Sequence, residues 1–248
     1  MTRVLRQENE EQVTCADDLY ARYVGFGGGS DNRRVGCETE RVYFQADDPT
    51  QLMRKEQQEA FVAEIRKLRI TDPKTGEKTK KVGMDLETSA QVIEEQTSAV
   101  PYYKVGQILD QEREMAEHMT RIAKQLGVRQ SPFTNNPFAT HDATFRNPVA
   151  EPRERTDMLV KAFYQFLSHD ELSYTFLTSP VHCSLSYNNP DELWDMARRM
   201  YYLTPFMYLA SDNSGNFMEN CPVPLNHHFT MRTNQALGPR GGVPDYFY

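Results

Sequence analysis

The chain is poor in several things, and each absence excludes a class of protein. It has four Cys in 248 residues, at 15, 37, 183 and 221, and they form no C-x-x-C pair. That spacing gives neither a zinc knuckle nor a dense disulfide framework, so the thiols read as reduced and mostly buried. No run of about 18 apolar residues occurs, so no segment reads as a transmembrane helix. Met1–Gln12 is polar and lacks an apolar core, so no secretory signal is read there. Basic residues are in deficit: 28 Lys+Arg against 35 Asp+Glu give a net charge of −7. Sequence-independent nucleic-acid binding needs clustered Lys/Arg to neutralise phosphates, so no nucleic-acid partner is expected. The apolar fraction is 39%, low for a domain this size, while Phe, Tyr, Leu and Val remain too frequent for a disordered chain. A protein of the cytoplasm, with no membrane partner, is the expectation.

What is present is an alternation of strand and helix patterns. Asn9–Val24 reads as a helix ended by the glycines at 25–29. Arg34–Phe44 reads as a strand whose alternation puts Val35, Cys37, Thr39 and Arg41 on one face, Glu38 and Glu40 on the other. Pro49–Leu68 reads as a charged amphipathic helix. Asp72–Gly76 reads as the turn of a hairpin between Ile70 and Val82. Val82–Glu87 and Ala90–Gln96 read as a strand pair, and Tyr103–Leu126 as a long helix stopped by Gly127. Ser131–Pro152 reads as a long loop with Phe133, Phe138 and Phe145, Arg155–Ser168 as a helix, and Tyr174–Tyr187 as a strand region. Asn189 and Pro190 open a helix as N-cap and first residue. That helix, through Tyr208, is the most apolar in the chain and is expected to be buried. After Asp212 an irregular segment is expected. The expected fold class is α+β: a mainly antiparallel sheet with one open polar face and helices packed on the other.

The carboxylates carry the most information. Glu38 and Glu40 share one strand face, and Asp85, Glu87, Glu94 and Glu95 fall on the next strand pair. Acidic residues are disfavoured in strands, and like charges side by side repel. A solvated face would accommodate them; so would a hard cation, because Mg²⁺ takes oxygen ligands and is commonly shared with substrate phosphates. His182 alternates with Pro180 and Ser184 and so falls on the polar side. Arg232 and Arg240 lie in a Gly/Pro/Asn-rich segment, where a planar fork suits carboxylate or phosphate. Other features are weaker. Gly25–Gly29 follows a helix and lacks the Lys-Ser/Thr of a phosphate loop. His141-Asp142 and His227-His228 have no third ligand at fixed spacing.

In order, these segments resemble the glutamate–cysteine ligase superfamily, the glutamine-synthetase-like carboxylate–amine ligases. Gly36-Cys37-Glu38-Thr39-Glu40 is similar to the family's G-x-E-x-E strand. Glu94 followed by Thr97-Ser98 is similar to its acidic strand and Thr-containing turn. Val181-His182-Cys183-Ser184 is similar to its V-H-x-N strand, with Ser184 in place of Asn. Pro205, Ala210, Asn213 and Ser214 approximate the run that ends its helix. Pro152–Met158 is similar to its P-x-x-R-Y-x-x-M segment: Arg155 matches, Thr156 replaces Tyr, and Met158 comes one residue early.

The resemblance implies that ATP phosphorylates the γ-carboxylate of glutamate and that an amine, cysteine foremost, displaces the phosphate. It implies Mg²⁺ held by Glu38, Glu40, Glu94 and Glu87, nucleotide contacts from His182 and Arg155, and charge neutralisation by Arg232 and Arg240. It also implies one catalytic domain over 1–248, incomplete at its C-terminal end or completed by a second subunit or another copy. A relative without catalysis that binds nucleotide or a protein partner is the alternative.

Overall fold

The computed structural model describes residues 33–86, 90–140, 143–144, 161, 165, 181–211, 213, 217–218 and 221–222. In chain order the elements are β1 (Arg34–Gln45), α1 (Lys55–Lys67), β2 (Arg69–Ile70), β3 (Lys80–Lys81), β4 (Gly83–Leu86), β5 (Val92–Gln96) and β6 (Val100–Pro101). They continue with α2 (Gly106–Gln125), β7 (Val128–Gln130), β8 (Val181–Leu185), α3 (Pro190–Ser211), β9 (Phe217–Met218) and β10 (Cys221–Pro222). The expected α+β class is what the described residues form. Every strand pairing among them is antiparallel.

β1 is the organising strand. β5 and β6 pair with it in succession, and β8, β7 and, through β5, β4 complete a six-stranded sheet. The register places Glu40 opposite Glu94 and Glu94 opposite Asp85. It also places Glu38 opposite both Gln96 and His182. Because side chains alternate across a strand, Val35, Cys37, Thr39, Arg41 and Tyr43 share the other face with Ile93 and Glu95.

That second face carries the core. Tyr43 and Ile93 pack with Phe61 and Ile65 of α1 and with Met119 and Ile122 of α2. In α2 the buried positions Ile108, Gln111, Met115, Met119 and Ile122 recur at three or four residues, so one stripe lies against the sheet. Gly127 ends α2 in the left-handed region (φ 68°), and Gly76 turns the β2–β3 hairpin with φ 77°. The Tyr43 and Phe61 rings lie 4.9 Å apart, tilted by 54°.

The structure moves some expected boundaries. The first helix begins at Lys55 rather than Pro49. Asp48 accepts the Thr50 N–H at 3.0 Å, and Met53 N–H donates to the Tyr43 carbonyl, so the preceding segment is held as a turn beside β1. α2 begins at Gly106, after a single 3₁₀ turn over Tyr102–Lys104. A short β9–β10 pair interrupts the stretch after Asp212 that was expected to be irregular. The expected helix at Asn9–Val24 lies outside the described residues, as do all of Arg155–Ser168 except Lys161 and Gln165, which are helical, and most of the second half of the long loop.

Two expectations are overturned. The thiols are not mostly buried: Cys183 and Cys221 are exposed and Cys37 is half-buried, because β8 and β10, which carry Cys183 and Cys221, are exposed throughout. α3 opens as the sequence indicates, with Asn189 Oδ1 accepting the Glu192 N–H at 2.9 Å. It is not buried: Phe206 is 70% and Leu209 81% exposed, and Trp194, Tyr202, Leu203 and Met207 are exposed too. Its apolar residues run round the whole circumference, and a helix lays only one stripe against a sheet. High apolar content therefore did not specify an inward face. Among the described residues no helix is long and apolar enough to cross a membrane.

Phe61 is completely buried at the centre of the α1–sheet contact. Phe61→Ala removes that ring, and urea unfolding is expected to show a loss of roughly 3–5 kcal/mol, the usual cost of emptying an aromatic core site.

Candidate functional site

The carboxylates of the outer sheet face come from three adjacent strands. Glu38 and Glu40 follow the pleat of β1, Glu94 stands on β5 and Asp85 on β4. Glu94 is buried and accepts a hydrogen bond from Gln96 Nε2 at 2.7 Å. Gly83 sits opposite Gln96, and a Cβ there would stand 3.1 Å from the Gln96 Cβ. Glu38 is partly exposed and lies 4.0 Å from His182 Nδ1 (Oε2), while the His182 side chain is 52% exposed. The face is thus open at Glu38 and His182. It closes towards Val42 and Val92, both buried.

A kink in the neighbouring chain shapes the open end. After β5 the chain leaves regular pairing at Thr97–Ala99 and rejoins β1 as β6. Thr97 bonds the Cys37 backbone twice: its Oγ1 accepts the Cys37 N–H at 2.8 Å, and its own N–H donates to the Cys37 carbonyl at 2.9 Å. Gln111 of α2 clamps the next residue. Its Oε1 accepts the Ser98 N–H at 2.8 Å and its Nε2 donates to the Ser98 carbonyl at 3.3 Å. The Thr-Ser turn read from the sequence is therefore anchored from both sides. Gln111 was not legible beforehand, because it sits within a charged helical run and only its position on the buried stripe marks it.

The pleat separates Glu94 from its neighbour. Glu95 points to the core face, is fully buried, and forms an ion pair with Arg41 Nε. Arg41 also reaches Glu112 of α2 at 3.3 Å. Two carboxylates thus share one guanidinium, and Oε2 of Glu95 has no hydrogen-bond partner. Burial pushes the Glu95 carboxyl up to about 7, outweighing the opposing pull of Arg41; Glu112 adds to the rise. Burial likewise raises Glu112. The Tyr43 hydroxyl, beside this group, is raised well above its ordinary value, first by burial and then by Glu95.

Of the residues assigned from the sequence, Glu38, Glu40, Glu94 and His182 come together on one face, with Asp85 added to them. Glu87, Arg155, Arg232 and Arg240 lie outside the described residues. Among the described residues no group of three or more His, Cys, Asp or Glu is placed to hold a metal ion. The donors are hard carboxylate oxygens, which suit Mg²⁺ bound through one or two carboxylates and completed by phosphate oxygens and water. They do not make an all-protein cage. An open groove of about 700 Å³ lies elsewhere, between α3 and the start of β1, lined by Val35, Tyr102, Leu185, Met196 and Leu203. Val35 and Leu185 belong to the face opposite the carboxylates, so the groove is separate from them. No protein-family model matches the chain, and no curated protein matches it at a significant level.

The Glu95 shift has a definite sign. Its folded-state value lies above the unfolded 4.5, so the folded protein binds the extra proton between about pH 4.5 and 7. That contribution to stability is present at low pH and is lost as pH rises through this window. Urea midpoints measured from pH 4.5 to 8 are expected to fall less steeply in Glu95→Gln than in the parent. Parallel profiles would contradict the assignment.

Proposed function

We propose that the protein is an ATP- and Mg²⁺-dependent carboxylate–amine ligase of glutamate–cysteine ligase type, built on a glutamine-synthetase-like sheet. The observation that supports this reading is the row Glu40–Glu94–Asp85 across three strands, flanked by Glu38 and His182. Four carboxylates on one face repel one another. Such a face gains from a ligand that brings positive charge, and an Mg²⁺–nucleotide complex brings it together with phosphate.

In the proposed reaction a γ-carboxylate oxygen of glutamate attacks the terminal phosphorus of ATP, and ADP leaves. The amine nitrogen of the second substrate attacks the acyl carbon of the resulting acyl phosphate. Phosphate leaves and the amine gives up a proton. Cysteine is the first amine to test. Mg²⁺, when bound, supplies charge neutralisation between phosphate oxygens.

The protein's part is placement. One or two of Glu38, Glu40 and Glu94 would hold the cation, with Glu87 a further candidate by its position in the motif, and phosphate oxygens and water would complete its shell. His182, at the open end beside Glu38, would meet nucleotide phosphate, and Arg155 would contact nucleotide. Arg232 and Arg240 would neutralise the glutamate carboxylate or the transferred phosphoryl group. A second subunit or another copy would complete the site. The Gln111–Ser98 clamp and the Thr97–Cys37 bonds hold the strand behind Glu38 rigid, so the carboxylates keep their spacing.

The test is phosphate release on mixing the protein with ATP, Mg²⁺, glutamate and cysteine, then other amines. Glu38→Gln and Glu94→Gln are each expected to lower the rate by about 100-fold or more, the scale of losing one electrostatic group at a reacting centre. Unchanged rates in both variants would sink the assignment. Because no three-ligand group is present among the described residues, a binding role for the same face is the second reading. Thermal stabilisation by Mg²⁺-ATP without turnover would favour it, and neither effect would exclude both.

A further inference from the structure

Cys37 of β1 and Cys183 of β8 stand directly opposite one another in the antiparallel register, on the face away from the carboxylates. Their Sγ atoms are 3.2 Å apart, and neither is in a disulfide. The rung they occupy is one whose backbone groups do not bond across to the partner. Cys37 directs its N–H and its carbonyl to Thr97 on the opposite edge. Three residues earlier the Arg34 carbonyl accepts the Ser186 N–H at 2.9 Å, which marks the alternate, hydrogen-bonded rungs. Non-hydrogen-bonded antiparallel pairs bring Cα atoms to about 4.5 Å and side chains closest together. That separation lies within the range that disulfides span, and closure to an S–S bond of about 2.0 Å needs only small side-chain rotations.

The surroundings make one sulfur accessible and give the bond something to do. Every residue of β8 is exposed, and among the described residues β8 pairs only with β1. Such a strand is held by few buried contacts and opens locally more readily than the core strands. It carries His182, next in sequence to Cys183, and β1 carries Glu38, next to Cys37.

We propose that Cys37 and Cys183 form a reversible dithiol–disulfide pair, closed by a low-molecular-weight disulfide, that ties β8 and its His182 to β1. The steps balance. The thiolate of exposed Cys183 attacks one sulfur of the small disulfide, giving a mixed disulfide and releasing one thiolate. Cys37 gives up its proton, and its sulfur attacks Sγ of Cys183; the S–S bond of the mixed disulfide breaks and the second thiolate leaves. Two protein thiols are oxidised by two electrons, and the small disulfide is reduced to two thiols. Burial first, then the adjoining Cys183, pushes the Cys37 thiol up to about 12.

The full chain is incubated with 2-hydroxyethyl disulfide, alkylated, digested and mapped by mass spectrometry, with hydrogen exchange followed in parallel. The expected product is a Cys37–Cys183 linked peptide that dithiothreitol reverses. Amide exchange over residues 181–187 slows by about 10-fold or more on oxidation, as local opening of β8 is suppressed. Cys183→Ser, at an exposed position, and Cys37→Ala each abolish both effects. Cys183 left as the mixed disulfide, cross-links through Cys15 or Cys221 instead, or closure with unchanged exchange in β8 would each overturn the proposal.

Discussion

β1 is hydrogen-bonded along both edges, and the pleat of that one strand decides what every neighbour can present. β5 and β6 fix one edge, and β8 and β7 fix the other. A one-residue slip in any of these pairings would carry carboxylates into the core and apolar residues into solvent, so burial of Tyr43 and Ile93 against α1 and α2 locks the register. The outer acidic face is therefore a consequence of the inner apolar face. Its carboxylates are aligned across three strands because the residues behind them must pack.

The two faces handle negative charge in opposite ways. On the inner face Glu95 and Glu112 converge on Arg41, and the protein neutralises part of the charge internally. A buried pair of this kind sets position more than it adds stability, since desolvation offsets much of the attraction. On the outer face Glu38 lies beside His182, and Glu94 accepts a hydrogen bond from Gln96. Glu94 and Glu95 are consecutive in sequence and have opposite fates. Charge count alone could not have separated them.

Much of this was legible in the sequence because it rests on period-two alternation, which is local. Arg34–Phe44, the hairpin at Gly76, the strand pair ending at Gln96 and the stop at Gly127 all appear where pattern placed them, within a residue or two. Alternation also put Glu38 and Glu40 on one face, but that Glu94 rather than Glu95 joins them depends on the β1–β5 register. What was not legible depends on pairing at long range. Arg41 reads as a charged residue on an apolar face until Glu95, 54 residues later, and Glu112, 71 residues later, are brought to it. The exposure of α3 was missed because composition reports how apolar a helix is and not how much surface is available to cover it. The start of α1 was missed because Leu52 bridges to Phe44 instead of joining a helix that its spacing would have allowed.

Gly83 gives the acidic row an unexpected dependence on an uncharged residue. With no side chain of its own it leaves Gln96 the room to lie across the sheet, and it is the Gln96 amide that reaches Glu94. The orientation of a carboxylate on β5 is thus controlled from β4 by an atom that is missing there. A methyl group at 83 would act as a lever two strands away from Glu38, re-aiming the donor and turning the Glu94 oxygens without altering a single charge.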